Sequence, residues 1–349
     1  MTAAKPIPES DLAAILAATR EIWEPLRGRS IFMTGCTGTF GAWLLESLSY
    51  TNRALDLRAN AVLLSRRPDV FRAKMPHLFA DDLITMYEGD ARDFAFPDGQ
   101  FPFIICGATE ASAKQQAEQP VEMLSTILRG TERTLEFAAQ CGCKRLLLTS
   151  SGAVYGRQPS EIVHLPESYA GAPDPTDFNS VYAEGKRASE LMCAVYGRQY
   201  GFATIFSRAY AIGGPHLPLD MHFALGNFIR DALAGGPIRI AGDGTPTRSY
   251  QYGGDLAVWL WTMLFRAPDR AAYNTGSGES LSILQLAEAV RDVLNPSILI
   301  EVAKKPAPGA PVSRYVPSVE KAERELGLRN GVTMEEIIRR TARWHGWQG

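Results

Sequence analysis

Tyr182 and Lys186 stand four residues apart in the run Asn179-Ser180-Val181-Tyr182-Ala183-Glu184-Gly185-Lys186. In a helix that spacing puts both side chains on one face, about 6 Å apart along the axis. A neighbouring ammonium favours phenolate, so Lys186 is expected to lower the tyrosine pKa and make the phenol a proton acceptor and donor near neutral pH. The same lysine can hold a nicotinamide ribose; alone, the pair reads equally as an exposed helical tyrosine and lysine. Upstream, Leu146-Leu147-Leu148-Thr149-Ser150-Ser151-Gly152-Ala153-Val154-Tyr155-Gly156 is an apolar strand running into hydroxyl residues. Either Ser150 or Ser151 can there hydrogen-bond a substrate oxygen and share its developing charge, or simply cap a turn.

A second constellation lies near the start, in Thr34-Gly35-Cys36-Thr37-Gly38-Thr39-Phe40-Gly41, between an apolar strand and an apolar helix. Gly35, Gly38 and Gly41 let the backbone turn tightly and approach a pyrophosphate, whose charge is met by the amides of Thr37, Thr39 and Phe40 at the helix start. The next strand ends Leu63-Leu64-Ser65-Arg66-Arg67, with no acid for the adenosine ribose hydroxyls. Two guanidinium groups suit a 2′-phosphate, which favours NADP over NAD, the alternative being solvated loop arginines. In Tyr87-Glu88-Gly89-Asp90-Ala91, Asp90 either accepts from an adenine amino group or forms a turn.

These groups need elements to position them. Ser30–Thr34, 60–65, 84–88, 103–106 and 145–150 read as short apolar strands, with helices over about 42–50, 120–140 and 179–196. The helix from Pro120 stops at Cys141-Gly142, glycine being a helix terminator. Strands alternating with helices indicate an α/β fold, a parallel sheet wrapped on both faces. Ahead of it, Ser10 or Asp11 is placed to cap an amphipathic helix running to about Leu26, which either packs on the body or projects as an arm. From about Arg208, Gly-Pro-rich stretches suit loops over a ligand at the carboxyl edge of the sheet.

With 349 residues, 36 Lys plus Arg and 38 Asp plus Glu, the formal charge of −2 argues against nucleic acid as the main partner. The length allows roughly two units. The five cysteines, Cys36, Cys106, Cys141, Cys143 and Cys193, have no redox or zinc spacing and read as buried thiols of a reducing compartment. The first residues, MTAAKPIPESDLAAILAATREIWEPL, read as neither signal peptide nor membrane span, so a cytoplasmic protein without a membrane partner is expected. No group of His, Cys and carboxylates has metal-ligand spacing, and no metal is expected.

The ordered set of TGxxGxxG at 34–41, the strand ending Thr149-Ser-Ser-Gly-Ala-Val-Tyr-Gly156, and Tyr182 with Lys186 resembles the extended short-chain dehydrogenase/reductase family, in its NAD(P)-dependent nucleotide-sugar epimerase and dehydratase group. Gly242-Asp-Gly-Thr-Pro-Thr-Arg248, Asp255-Leu256, Tyr273-Asn-Thr-Gly-Ser277 and the stretch from Arg314 to Leu326 extend the resemblance over about residues 30–345. It implies a Rossmann-type doubly wound sheet with a smaller C-terminal α/β substrate-binding lobe. The expected domains are a helical extension (1–29), an NAD(P)-binding domain carrying the Ser/Tyr/Lys set (30–207), and a mainly substrate-binding lobe interleaved with it (208–349). The resemblance selects Ser151 over Ser150 as catalytic beside Tyr182 and Lys186, assigns Arg248, Asn227 and Arg314 to a nucleotide-diphosphate sugar, and implies a homodimer through the helices from Pro120 and Tyr182.

Relatives that eliminate water carry Asp-Glu directly after the catalytic hydroxyl residue, and those that decarboxylate carry a glutamate two positions after it. Here these positions are Gly152 and Ala153, which transfer no proton. The expectation is therefore an epimerase, at C4, passing hydride to and from the cofactor through a 4-keto intermediate. The alternatives are an NADPH-dependent 4-ketosugar reductase, then a 4,6-dehydratase, and, outside enzymes, a cofactor-sensing binding protein. Two positions depart from the family pattern: Ala211 and Ile127 stand where the family has asparagines. Asp220 and His222 are further candidates for touching the sugar, or else ordinary loop residues.

Overall fold

Ser30–Thr34 (β1) is apolar through its centre and buried from Ile31 onward, as a strand covered on both faces must be. In the computed structural model of the chain, which describes residues 3–80, 82–107, 113–221, 223–309 and 311–349, with only the backbone of Ala113 and Lys114, β1 lies inside a seven-stranded sheet. Its companions are β2 (Asn60–Ser65), β3 (Ile84–Glu88), β4 (Phe103–Cys106), β5 (Arg145–Ser151), β6 (Ala203–Ala209) and the strand Ala271–Thr275. The order across the sheet is Ala271–Thr275, β6, β5, β4, β1, β2, β3, and the pairs β1–β2, β2–β3, β1–β4 and β4–β5 are parallel. The order reverses between β1 and β4, and doubly wound sheets bind their ligands at the carboxyl ends on either side of such a reversal.

The helices of this part are α1 (Glu9–Thr19), α2 (Thr39–Leu55), α3 (Pro68–Lys74), α4 (Ala113–Glu118), α5 (Pro120–Gln140) and α6 (Val181–Tyr200). Helices α5 and α6 pack side by side, and between them a Cβ on Gly185 would meet the Ile127 side chain at 3.0 Å. Glycine at 185 thus lets the helix carrying Tyr182 and Lys186 come close to α5. Phe32 of β1 packs in a phenylalanine cluster, with ring centroids 4.8 Å from Phe137 of α5 and 5.5 Å from Phe94.

The start of the chain differs from the expectation. Helix α1 begins at Glu9 behind Pro8, without a side-chain cap, and ends at Thr19; the turns Arg20–Ile22 and Glu24–Leu26 follow it. Proline at the cap supplies a preset φ instead of an accepting oxygen, so neither Ser10 nor Asp11 caps the helix. α1 packs on α2, the buried indole of Trp23 lies 4.8 Å from that of Trp261, and the Ile7 amide donates to the buried Glu46 carboxylate at 2.7 Å.

The chain divides into two units: one of residues Met1–Gly156, Ala172–Arg208 and Ala257–Tyr273, the other of Arg157–Gly171, Ala209–Leu256 and Asn274–Gly349. In the second unit, helices Ala224–Leu233, Ile283–Leu294 and Met334–Trp344 pack together. Strand Thr247–Arg248 is flanked by Leu281–Ser282 and Arg314–Tyr315. Among the described residues no helix is long and apolar enough to cross a membrane.

Candidate active site

The glycine loop joins β1 to α2. Gly35 takes a φ of +71°, which favours glycine. A Cβ on Gly41 would fall 1.9 Å from the backbone oxygen of Cys36, so only glycine lets the first turn of α2 close over the loop. Gly38 is the opposite case: a Cβ there would meet nothing within 4 Å, and as N-cap it offers no side chain to the first amides of α2. Gly35, Thr37 and Gly38 are exposed, with Thr39 and Phe40 half-buried behind them. The start of a 17-residue helix that Gly38 leaves without a side-chain cap, with open space before it, fits a dinucleotide pyrophosphate. Beneath the loop the Cys36 thiol is pushed up to about 12 by burial, which makes it inert.

The next two strand ends lie beside this loop. Arg66 and Arg67 are exposed just after β2, where Ser65 Oγ accepts the Arg67 amide at 3.1 Å. Ser65 pairs with Glu88 in β3, which brings Arg66 near Asp90 closely enough that its charge helps lower the Asp90 carboxyl. The main cause of that lowering is Arg92, which grips both carboxylate oxygens at 2.9 and 2.7 Å and itself pairs with Glu122 at 2.7 Å. Asp90 is therefore held by a neighbouring guanidinium as well as standing, with Ala91, at the strand edge; its engagement with Arg92 is not visible in the residues 87–91 alone.

Ser151, Tyr182 and Lys186 are brought together. Ser151 ends β5 and caps the turn Gly152–Tyr155, accepting the Ala153 amide at 3.2 Å. Its hydroxyl also hydrogen-bonds the Tyr182 phenol. Lys186, one turn further along α6, is buried and donates to the Thr149 carbonyl at 2.9 Å. Ser150, the rejected neighbour, is engaged elsewhere: its hydroxyl donates to Glu190 at 2.6 Å.

The charge states differ from the expectation. Burial pushes the Tyr182 phenol up, and only the Ser151 hydrogen bond works against it. The ammonium does not lower it, because Lys186 Nζ stands 6.0 Å from the ring centroid and is turned to the Thr149 carbonyl. Burial likewise pushes the Lys186 ammonium from 10.5 down to about 8. Low polarity favours the neutral form of each group, so the protein alone holds a protonated phenol, a proton donor at neutral pH.

The second unit contains the remaining candidates. Arg248 and Arg314 lie on adjacent parallel strands, with Tyr315 opposite Arg248. Arg248 donates to the carbonyls of Thr247 (2.9 Å) and Ser313 (3.3 Å), and among the described residues no carboxylate pairs with it; burial lowers its pKa. The Nε of Arg314 is buried without a hydrogen-bond partner among the described residues. Two partly buried guanidinium groups that pair with no carboxylate among the described residues favour an incoming anion. Asn227 stands on a different element, helix Ala224–Leu233, where its oxygen accepts from Arg230 at 3.3 Å. Asp220 is exposed, and His222 lies outside the described residues.

Glu190 is a site residue that the sequence reading misses. It lies four residues beyond Lys186 on α6 and takes Ser150 and Arg208 as partners, Arg208 donating from Nη2 at 2.7 Å and from Nε at 3.0 Å. Its signal is the continued four-residue spacing Tyr182, Lys186, Glu190, although a glutamate on a helix is usually solvated.

Comparison with known proteins gives the family and the fold. The sequence model of the NAD dependent epimerase/dehydratase family matches residues 31–276, and the chain belongs to that family. UDP-glucuronic acid decarboxylase 5 of Arabidopsis thaliana is 34% identical over 218 residues, 62% of this chain and 62% of the relative, so the match spans less than two thirds of the relative's length. The solved UDP-glucose 4-epimerase of Thermus thermophilus, in complex with NAD, is 26% identical with a TM-score of 0.74, covering 91% of this chain and 99% of that one. A dTDP-glucose 4,6-dehydratase of Streptomyces venezuelae, with NAD bound, shares the fold at a TM-score of 0.76 and 23% identity, covering 90% of this chain and 96% of that one.

Proposed function

We propose that this chain is a nucleotide-sugar epimerase acting at C4 with a bound nicotinamide dinucleotide, NADP in preference to NAD. The observation that carries the reading is Ser151, Tyr182 and Lys186 assembled at one strand end, with Gly152 and Ala153 immediately after the serine. When bound, the cofactor supplies a hydride acceptor and donor. Tyr182 exchanges the proton of the sugar hydroxyl, Ser151 orients that oxygen, and Lys186 holds the nicotinamide ribose. With no carboxylate in the two positions after Ser151, there is no group there to drive elimination or decarboxylation, so returning the hydride to the other face is the course left to the keto intermediate. Similarity to a decarboxylase therefore does not carry that reaction to this chain. Arg248 and Arg314 are assigned to the sugar nucleotide's diphosphate, with Asn227 beside it. The cytoplasm is the proposed location, since all five cysteines are free and buried.

A ketosugar reductase is the second reading, favoured by the protonated Tyr182 phenol and the exposed Arg66 and Arg67, which suit NADPH consumed as substrate. One experiment separates the two. Purified protein is incubated with a panel of UDP- and dTDP-sugars, including UDP-glucuronic acid, and products are read by NMR. Interconversion of C4 epimers without net cofactor oxidation is expected, and Tyr182→Phe should lower it by about a thousandfold while dinucleotide binding persists. Net NADPH consumption by a 4-ketosugar would replace the epimerase by the reductase, and carbon dioxide release from UDP-glucuronic acid would overturn both. Dinucleotide binding with no reaction across the panel would leave a cofactor-sensing protein.

A further inference from the structure

Three consecutive residues at the end of β5 meet three residues of α6 spaced by four. The Thr149 carbonyl accepts from Lys186 Nζ, Ser150 Oγ donates to Glu190, and Ser151 bonds Tyr182. The contact through Ser150 ends on an ion pair. Arg208, near the end of β6, donates to both Glu190 oxygens, and both partners are largely buried, with side chains 17% and 12% exposed. The free nitrogen of Arg208, Nη1, donates to Tyr155 Oη at 2.9 Å, and the guanidinium lies 4.7 Å from the Tyr155 ring centroid. Ser150 and Tyr155 bracket Ser151 and its turn, so a single ion pair holds the serine segment from both sides while standing on the helix of Tyr182 and Lys186.

We propose that Glu190 and Arg208 are positioning residues that set the Ser151 hydroxyl against Tyr182 by holding the two ends of the serine segment. This rests on the reading of Ser151, Tyr182 and Lys186 as the reacting set. Neither residue touches substrate; each acts through a neighbour. A buried ion pair contributes little to stability by itself, because desolvation offsets the attraction, whereas it fixes geometry when every remaining hydrogen bond is made. That is the case here: the carboxylate accepts from a hydroxyl and a guanidinium fork, and the guanidinium's other nitrogen reaches a phenol.

The charge of Glu190 also bears on Lys186. The groups facing that ammonium are the Cys106 thiol of β4, the Cys193 thiol and Glu190 of α6, the Tyr182 ring and the Thr149 carbonyl. Burial raises both thiols, so they are neutral at pH 8, and Glu190 is the nearby carboxylate that opposes loss of the lysine proton. Since the lysine pKa is depressed to about 8, function that needs the ammonium falls as pH rises through that value. Removing the glutamate charge lowers the lysine pKa further and moves this alkaline limb to lower pH.

The test compares wild type, Glu190→Gln, Glu190→Asp and Ser150→Ala, each as the full chain. Two pH profiles are recorded: kcat/KM for the epimerised sugar, and NADP affinity by tryptophan fluorescence. In Glu190→Gln both alkaline limbs should move down by about one pH unit, and in Glu190→Asp, which keeps the charge, they should stay near wild type. Ser150→Ala, which leaves the ion pair whole, should lose about tenfold in kcat with KM and urea midpoint unchanged. Coincident limbs in wild type and a folded Glu190→Gln would overturn the electrostatic half of the proposal, and an unchanged kcat in Ser150→Ala the geometric half. If Glu190→Gln does not fold, the Ser150→Ala result decides the geometric half, and a wild-type profile with no alkaline limb near pH 8 would overturn the electrostatic half. Failure of wild type to turn over any sugar defeats the epimerase reading instead, and the NADP binding profiles still decide the role of Glu190.

Discussion

Arg66 and Arg67 stand exposed at the end of β2, beside a carboxylate already gripped by Arg92. A 2′-phosphate placed there meets guanidinium groups without first displacing a buried ion pair. Arg66→Ala with Arg67→Ala should therefore weaken NADP binding by about tenfold or more and leave NAD binding within about twofold, as read by fluorescence titration. Tighter NAD than NADP binding by the wild type would defeat the preference. At this scale, residue type and spacing reveal Ser151, Tyr182 and Lys186, because hydroxyl, phenol and ammonium are rare together at strand and helix starts. Charge state is not legible in the same way. The sign of the Tyr182 shift depends on how much water the fold removes and on where Lys186 Nζ points, and both are set by neighbours distant in sequence. Glu190 is hidden for the same reason, its partners lying 40 and 18 residues away.

The elements that present these groups are legible where they are long or apolar. Strands β1 to β5 stand out because parallel strands covered on both faces have to be apolar, and α5 matches its expected span of Pro120 to Gln140 through its terminating Cys141-Gly142. The strand β6, Ala203–Ala209, escapes because it runs into Ser207 and Arg208, and the second unit's strands, of two or three residues, are too short to show a period. Helix α2 offers a paired test of how an element start is built. Gly38→Ala should cost no more than about 1 kcal/mol of unfolding free energy, the loss of a good N-cap residue, but weaken dinucleotide binding by about tenfold, since its methyl enters open space before the helix amides. Gly41→Ala, whose methyl would collide with the Cys36 backbone, should cost about 2–4 kcal/mol of stability. Equal effects of the two on folding would contradict the division of labour between these glycines.

On the scale of the whole molecule, α5 and α6 leave apolar groups in water: Leu191 is 67% and Val195 50% exposed, one turn apart on α6, and Val121 of α5 is 80% exposed. Family resemblance assigns these helices to a dimer, and we propose that two chains associate through them. Light scattering at micromolar concentration should give twice the chain mass of 38.2 kDa, and Leu191→Glu should return it to one. A monomeric wild type would end that proposal. The family match begins at residue 31, yet the body of the first unit does not. Trp23 lies against Trp261, and Ile7 meets the Glu46 carboxylate in the middle of α2, the helix whose first turn closes over the glycine loop. Trimming the chain to the family's limits would strip one wall from that helix, uncover an indole and leave a buried carboxylate short of a donor. The family match thus starts inside a compact unit that reaches further back along the chain.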